Sequence, residues 1–119
     1  MTKILLAEDD NDMRRFLVKA LQNAGYDVAS FDNGLSAYNR LREEPFELLL
    51  TDIVMPEMGG RVASARMQAA GAKIPFLFVS GYTMTIADTE FVQDPSRRFL
   101  PKPFNAGQLL REVHVALNP

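Results

Sequence analysis

Short apolar runs and amphipathic stretches take turns along this chain. Ile4-Leu5-Leu6-Ala7 is a continuous apolar run of strand length, of the kind that is buried on both faces in a parallel sheet. It stops at Glu8-Asp9-Asp10. Met13, Phe16, Leu17, Ala20, Leu21 and Ala24 then recur at helical spacing, with Asp10 or Asn11 as N-cap and Gly25 as the stop. Val28 to Phe31 reads as a second strand, followed by an Asp32-Asn33-Gly34 turn. A second helix carries Leu35, Ala37, Tyr38 and Leu41 and ends before Pro45. Leu48-Leu49-Leu50 is a third buried strand that runs into Thr51-Asp52. Pro56 and Gly59-Gly60 mark a loop, and Val62 to Ala70 reads as a third helix closed by Gly71. Ile74 to Val79 is a fourth strand, ending at Ser80-Gly81. Phe99-Leu100 is a short fifth strand before Pro101-Lys102-Pro103. Asn105 and Gln108 form a capping pair for a last helix with Leu109, Leu110, Val113, Ala116 and Leu117.

Strands alternating with helices imply an α/β fold, a doubly wound parallel sheet covered on both faces. The exception to the alternation is Tyr82 to Ser96. Its only helical pattern is short, around Ile86 to Val92, and Asp94-Pro95 breaks it, so the fourth helix is expected to be short or atypical. No linker or repeat divides the chain, and residues 1–119 are expected to form one domain.

Composition narrows the function classes. The net charge is -2 and the basic residues are scattered, which argues against a nucleic-acid partner. There is no cysteine, which excludes disulfides, thiol chemistry and cysteine zinc sites. No apolar run approaches the ~20 residues of a membrane span, and the start has no signal-peptide layout. The expectation is a cytoplasmic protein without a membrane partner. His114 stands alone on the last helix without metal-ligand spacing, so a surface or structural role is expected for it.

The chemistry lies at the strand ends. In an open parallel sheet, functional groups collect outside the carboxyl ends of the strands. Glu8 and Asp9 follow the first strand, Asp52 the third, Ser80 the fourth and Lys102 the fifth. Clustered carboxylates repel one another unless a positive charge sits among them. Magnesium suits such a set, because it takes oxygen ligands and often shares its shell with a phosphate. Asp9 and Asp52 are the expected direct ligands, with the Val54 main-chain carbonyl beside them and Glu8 acting through water. Lys102 is a point charge for Asp52 and then for a phosphoryl oxygen, and Ser80 offers a hydroxyl donor. Asp52 is the expected nucleophile. Singly, each residue has an ordinary use: Asp9 or Asp10 as a helix cap, Asp52 in a turn, Ser80 as a small strand-end residue, Lys102 on the surface. Their joint occurrence at four strand ends is far more specific.

These residues carry a family resemblance. The segments KILLAEDDNDMRRFL, LLLTDIVMPEMGG, FLFVSGY and FLPKPF resemble the receiver domain of response regulators along the whole chain. The resemblance implies a flavodoxin-like fold with strand order 2-1-3-4-5. It implies Glu8 and Asp9 as the acidic pair, Asp52 as phosphoacceptor, Ser80 as switch hydroxyl and Lys102 as the family's lysine. A cis Lys102–Pro103 peptide and a rotating aromatic at Phe99 are implied as well. The activity implied is magnesium-dependent transfer from a phosphohistidine to Asp52 in a two-component system or phosphorelay, by a signalling domain that is no classical enzyme. The partners implied are a histidine kinase, a histidine phosphotransferase and a downstream protein target. The first half is similar to a stand-alone receiver linked to regulated proteolysis and cell-cycle control. The second half is similar to receivers of hybrid histidine kinases, which implies as the alternative an isolated or engineered receiver domain of such a kinase. Gly59 departs from the family, where an aspartate is common, and residues 82–98 lack the usual amphipathic helix.

Three other readings share parts of the pattern. A flavodoxin-type cofactor binder needs a phosphate-binding turn where Glu8-Asp9-Asp10 would repel phosphate. A phosphatase of the haloacid dehalogenase type needs a second acid where Val54 stands. A pseudo-receiver would lack part of the site; the complete site argues against that reading, while the unusual fourth-helix region keeps it open.

Overall fold

A computed structural model describes residues 2–52, 65, 74–80 and 97–118 of the chain. Five parallel strands form one sheet in the order β2-β1-β3-β4-β5, where β1 is Lys3–Ala7, β2 Asp27–Phe31, β3 Leu48–Asp52, β4 Phe76–Ser80 and β5 Arg97–Pro101. The described helices are α1 (Asn11–Asn23), α2 (Gly34–Glu43) and a last helix α3 (Ala106–Leu117). This is the flavodoxin-like order that the resemblance implied. The expected helix from Val62 to Ala70 lies outside the described residues apart from Ala65, and the expected weak fourth helix lies outside them altogether.

The uninterrupted apolar runs work because each strand feeds two cores. Successive side chains of a strand point to opposite faces. Ile4, Leu6, Leu48, Leu50, Leu77, Val79 and Leu100 pack with Leu17 and Leu21 of α1 and with Leu109, Val113 and Ala116 of α3. Leu5, Ala7, Leu49, Phe76 and Phe78 pack on the other face with Ala37 of α2 and with Phe46. Burying a side chain of leucine or phenylalanine size contributes about 1.5–3 kcal/mol, so the central strands supply much of the drive to fold.

Helix ends are set by local chemistry. The Met13 N–H donates to Asp10 Oδ1 at 2.9 Å, which makes Asp10 rather than Asn11 the cap of α1. At the other end Gly25 has φ of +95°, a conformation that favours glycine. There the Tyr26 N–H reaches the Leu21 carbonyl at 3.1 Å and the Gly25 N–H reaches the Gln22 carbonyl at 3.0 Å, closing the helix. The expected capping pair on α3 is present in both directions. The Gln108 N–H donates to Asn105 Oδ1 at 2.8 Å, and the Asn105 N–H donates to Gln108 Oε1 at 2.9 Å. His114 is exposed near the end of α3, where its carbonyl accepts from the Asn118 backbone and side chain.

The amino ends of the strands carry a separate ionic tie. Lys3 Nζ donates to Glu44 Oε2 at 2.8 Å, linking the start of β1 to the end of α2. The Lys3 hydrogen bond, foremost, and the Arg40 guanidinium hold the Glu44 carboxyl below its ordinary value of 4.5. A lowered carboxyl pKa adds stability above the unfolded value, and that stability is lost as pH falls through the folded one. Glu44→Gln should therefore lower the urea midpoint slightly at neutral pH, and the gap to the parent should close as the pH drops well below 4.5. A gap that is independent of pH would show that the ion pair is not its source.

Candidate functional site

Register brings the polar residues together. Ala7 pairs with Thr51, so the next residues, Glu8 just past β1 and Asp52 at the end of β3, come side by side. Asp52 is in turn level with Val79 of β4, and Ser80 is level with Pro101 of β5, directly before Lys102. Neighbouring strands lie about 4.8 Å apart, so a group on β5 must reach across β4 to meet Asp52. Lysine has the long unbranched stem for that. Lys102 Nζ lies 2.9 Å from Asp52 Oδ2 and 3.0 Å from Glu8 Oε1. The chain turns away from β5 through a cis Lys102–Pro103 peptide, as the resemblance implied.

The two members of the acidic pair differ sharply. Glu8 is fully buried, whereas Asp9 is exposed. Both oxygens of Glu8 are engaged: Oε1 accepts from Lys102, and Oε2 accepts from the Asp10 N–H at 3.1 Å. Burial raises the Glu8 carboxyl above its ordinary range and the Asp52 carboxylate adds to that, while the bonds from Lys102 and Asp10 oppose it. For Lys102, burial is the largest single influence and lowers its pKa. The hydrogen bonds and charges of Asp52 and Glu8 together outweigh it and leave the ammonium group above its ordinary value.

Glu8, Asp9 and Asp52 each present a carboxylate oxygen, and these oxygens lie within 4.8 Å of one another. Three hard anionic donors from two strand ends match the preference of magnesium for oxygen ligands. Asp52 itself is nearly buried at the end of β3, beside Thr51, whose hydroxyl donates to the Asp52 carbonyl at 3.0 Å. Ser80 ends β4 between the strands of Asp52 and Lys102. Val54 lies outside the described residues. Phe99 on β5 is partly buried against the core that contains Phe76 and Phe78.

One residue near the site is absent from the sequence reading. Arg14, in the first turn of α1, donates from one nitrogen to the Glu8 carbonyl at 2.8 Å and from the other to Asn11 Oδ1. A cation near a helix N-terminus opposes the helix dipole, and that misplacement is the signal by which it could have been noticed.

Known proteins show the same class. The family model for the response regulator receiver domain matches residues 4–114, and the chain belongs to that family, a signalling domain of two-component systems. Over 117 residues the chain is 50% identical to the response regulator receiver protein CpdR of Brucella abortus (strain 2308), an alignment that covers 98% of each. It is also 35% identical over 116 residues to the sensor kinase CckA of the same organism, of which it spans 12%. Both alignments run over nearly the whole chain. Among solved structures, Vibrio cholerae CheY4 matches with a TM-score of 0.86 at 28% identity, covering 98% of this chain and 99% of that one. The receiver domain from the hybrid histidine kinase CckA matches with a TM-score of 0.83 at 26% identity, with the same coverage. Among the described residues, no helix is long and apolar enough to cross a membrane.

Removing the shared cation should be costly. Lys102→Met leaves Glu8 buried without its counter-ion and should destabilise the fold by about 3–5 kcal/mol at neutral pH. The loss should shrink as pH is lowered, because the unpaired carboxyl takes up a proton. Urea unfolding across pH checks this, and equal midpoints for parent and variant at neutral pH would rule out Lys102 as the counter-ion.

Proposed function

We propose that the chain accepts a phosphoryl group on Asp52 from a phosphohistidine of a histidine kinase or histidine phosphotransferase, and that the modified domain changes its contacts with a downstream protein. The observation that carries this reading is the Lys102 ammonium within 3.0 Å of both Asp52 and Glu8, with Asp9 converging on the same point. A nucleophilic carboxylate held beside a fixed cation and a further acidic group is what phosphoryl transfer to aspartate needs.

In this reading Asp9 and Asp52 ligate magnesium directly, with the main-chain carbonyl of Val54 beside them. Glu8 acts through water, because both of its oxygens already accept hydrogen bonds. When bound, the ion neutralises charge on the phosphoryl oxygens. The chain's own groups do the rest. An Asp52 oxygen attacks phosphorus, the bond from phosphorus to the donor imidazole breaks, and the electron pair returns to the imidazole nitrogen. An acyl phosphate on Asp52 results. Lys102 stays paired with the anionic group as it changes from carboxylate to acyl phosphate, and the Ser80 hydroxyl donates to a phosphoryl oxygen. The new charge and acceptor oxygens at the end of β4 then bias the neighbouring surface, with Phe99 following the movement of Ser80.

The likeness to CpdR, a receiver protein matched over 98% of its length, supports a receiver that acts through protein contacts; regulated proteolysis or cell-cycle control is what the sequence resemblance adds. The likeness to CckA supports a histidine kinase as the source of the phosphoryl group. The charge of -2 supports protein rather than nucleic-acid contacts, and a cytoplasmic location fits these partners.

Incubation with acetyl phosphate and magnesium, followed by intact mass, tests the central step. The parent chain should gain the mass of one phosphoryl group, chelation of magnesium should suppress the gain, and Asp52→Asn should abolish it. Labelling of Asp52→Asn at the parental level would overturn the assignment.

A further inference from the structure

The loop that carries the acidic pair is held at every peptide group around Asp9. Before it, the Glu8 N–H donates to the Phe31 carbonyl of β2 at 3.0 Å. After it, the Asp10 N–H donates to the Glu8 carboxylate at 3.1 Å, and the Asp10 carbonyl accepts from the Arg14 N–H at 2.8 Å. The peptide immediately before Asp9 is held through the Glu8 carbonyl. Arg14 holds it, with one guanidinium nitrogen at 2.8 Å. The other nitrogen is braced on Asn11, the first residue of α1. The planar fork thus spans the loop and the helix start, which a flexible point charge cannot do.

The orientation of a peptide plane sets the direction in which the next side chain leaves the backbone. Asp9 is exposed, so packing does not fix its carboxylate, and direction must come from the backbone. We propose that Arg14 is a positioning residue for the acidic pair: by holding the Glu8 carbonyl it fixes the peptide before Asp9 and aims the Asp9 carboxylate at the point shared with Asp52. The inference rests on the reading of Asp9 and Asp52 as magnesium ligands. Arg14 touches no ligand atom of that set; it acts through the main chain, as outer groups at metal sites do when they orient the inner ones.

Magnesium titration followed by amide NMR shifts tests this on the full chain. Arg14→Ala should raise the magnesium Kd about tenfold or more. At saturating magnesium, labelling of Asp52 by acetyl phosphate should return to the parental rate, since only the preparation of the site is lost. Arg14→Gln, which keeps a polar side chain, serves if the alanine variant folds poorly, and the same weakening is expected. Arg14→Lys keeps the charge but cannot bridge both partners, and should bind magnesium as weakly as Arg14→Ala. Parental affinity in the lysine variant would mean that charge alone matters and would overturn the proposal. A lowered urea midpoint with unchanged magnesium affinity would overturn it too, as a merely structural role, and so would labelling that stays slow at saturation. A parent chain that takes up no magnesium overturns both this and the function reading. A parent that binds while the alanine and glutamine variants bind equally overturns this inference alone.

Discussion

An ammonium group shared by two carboxylates governs the carboxyl end of this sheet. Without Lys102, Glu8 would be a fully buried anion next to a second, nearly buried one, and burial of unpaired charge is among the most costly things a fold can do. The register of four strands serves this contact. The pairing of Ala7 with Thr51 places the two acids abreast, and the pairing of Ser80 with Pro101 delivers the lysine just beyond them. A slip of one residue in any of these pairings would send each side chain into the opposite core, so the packing of the two cores keeps the ionic contact aligned.

The adjacent residues Glu8 and Asp9 show how one loop divides labour. Glu8 turns inward and uses both oxygens to fasten other groups, the Lys102 ammonium and the Asp10 N–H. Asp9 turns outward, and its carboxylate comes within 4.8 Å of the others from the open side. One acid thus builds the floor and the other remains available at the rim. Asp10, third in the run, is used up as the cap of α1.

Most of the strands and helices were legible because their apolar periods were clean. Leu48-Leu49-Leu50 read as a strand buried on both faces, and the Asn105–Gln108 pair announced the start of the last helix. The strand-end rule gathered Glu8, Asp9, Asp52 and Lys102 before any coordinates. Their individual environments were not legible. Nothing in the order Glu8-Asp9 says which of the two is buried, since that depends on where the strand gives way to the loop. Arg14 was missed for a related reason. Its partner is a main-chain carbonyl, which every residue owns and no sequence pattern marks.

The distances along the chain that this contact spans have a consequence for how the protein is made. Lys102 lies 94 residues from Glu8 and 50 from Asp52. During synthesis from the amino end, β1 and β3 can pair while the lysine is still inside the ribosome. The two acids then face each other without their cation and stay hydrated rather than sealed. Contacts of such long sequence separation form late, after the local helices. The corner that joins Glu8, Asp52 and Lys102 therefore closes only after most of the chain has been made.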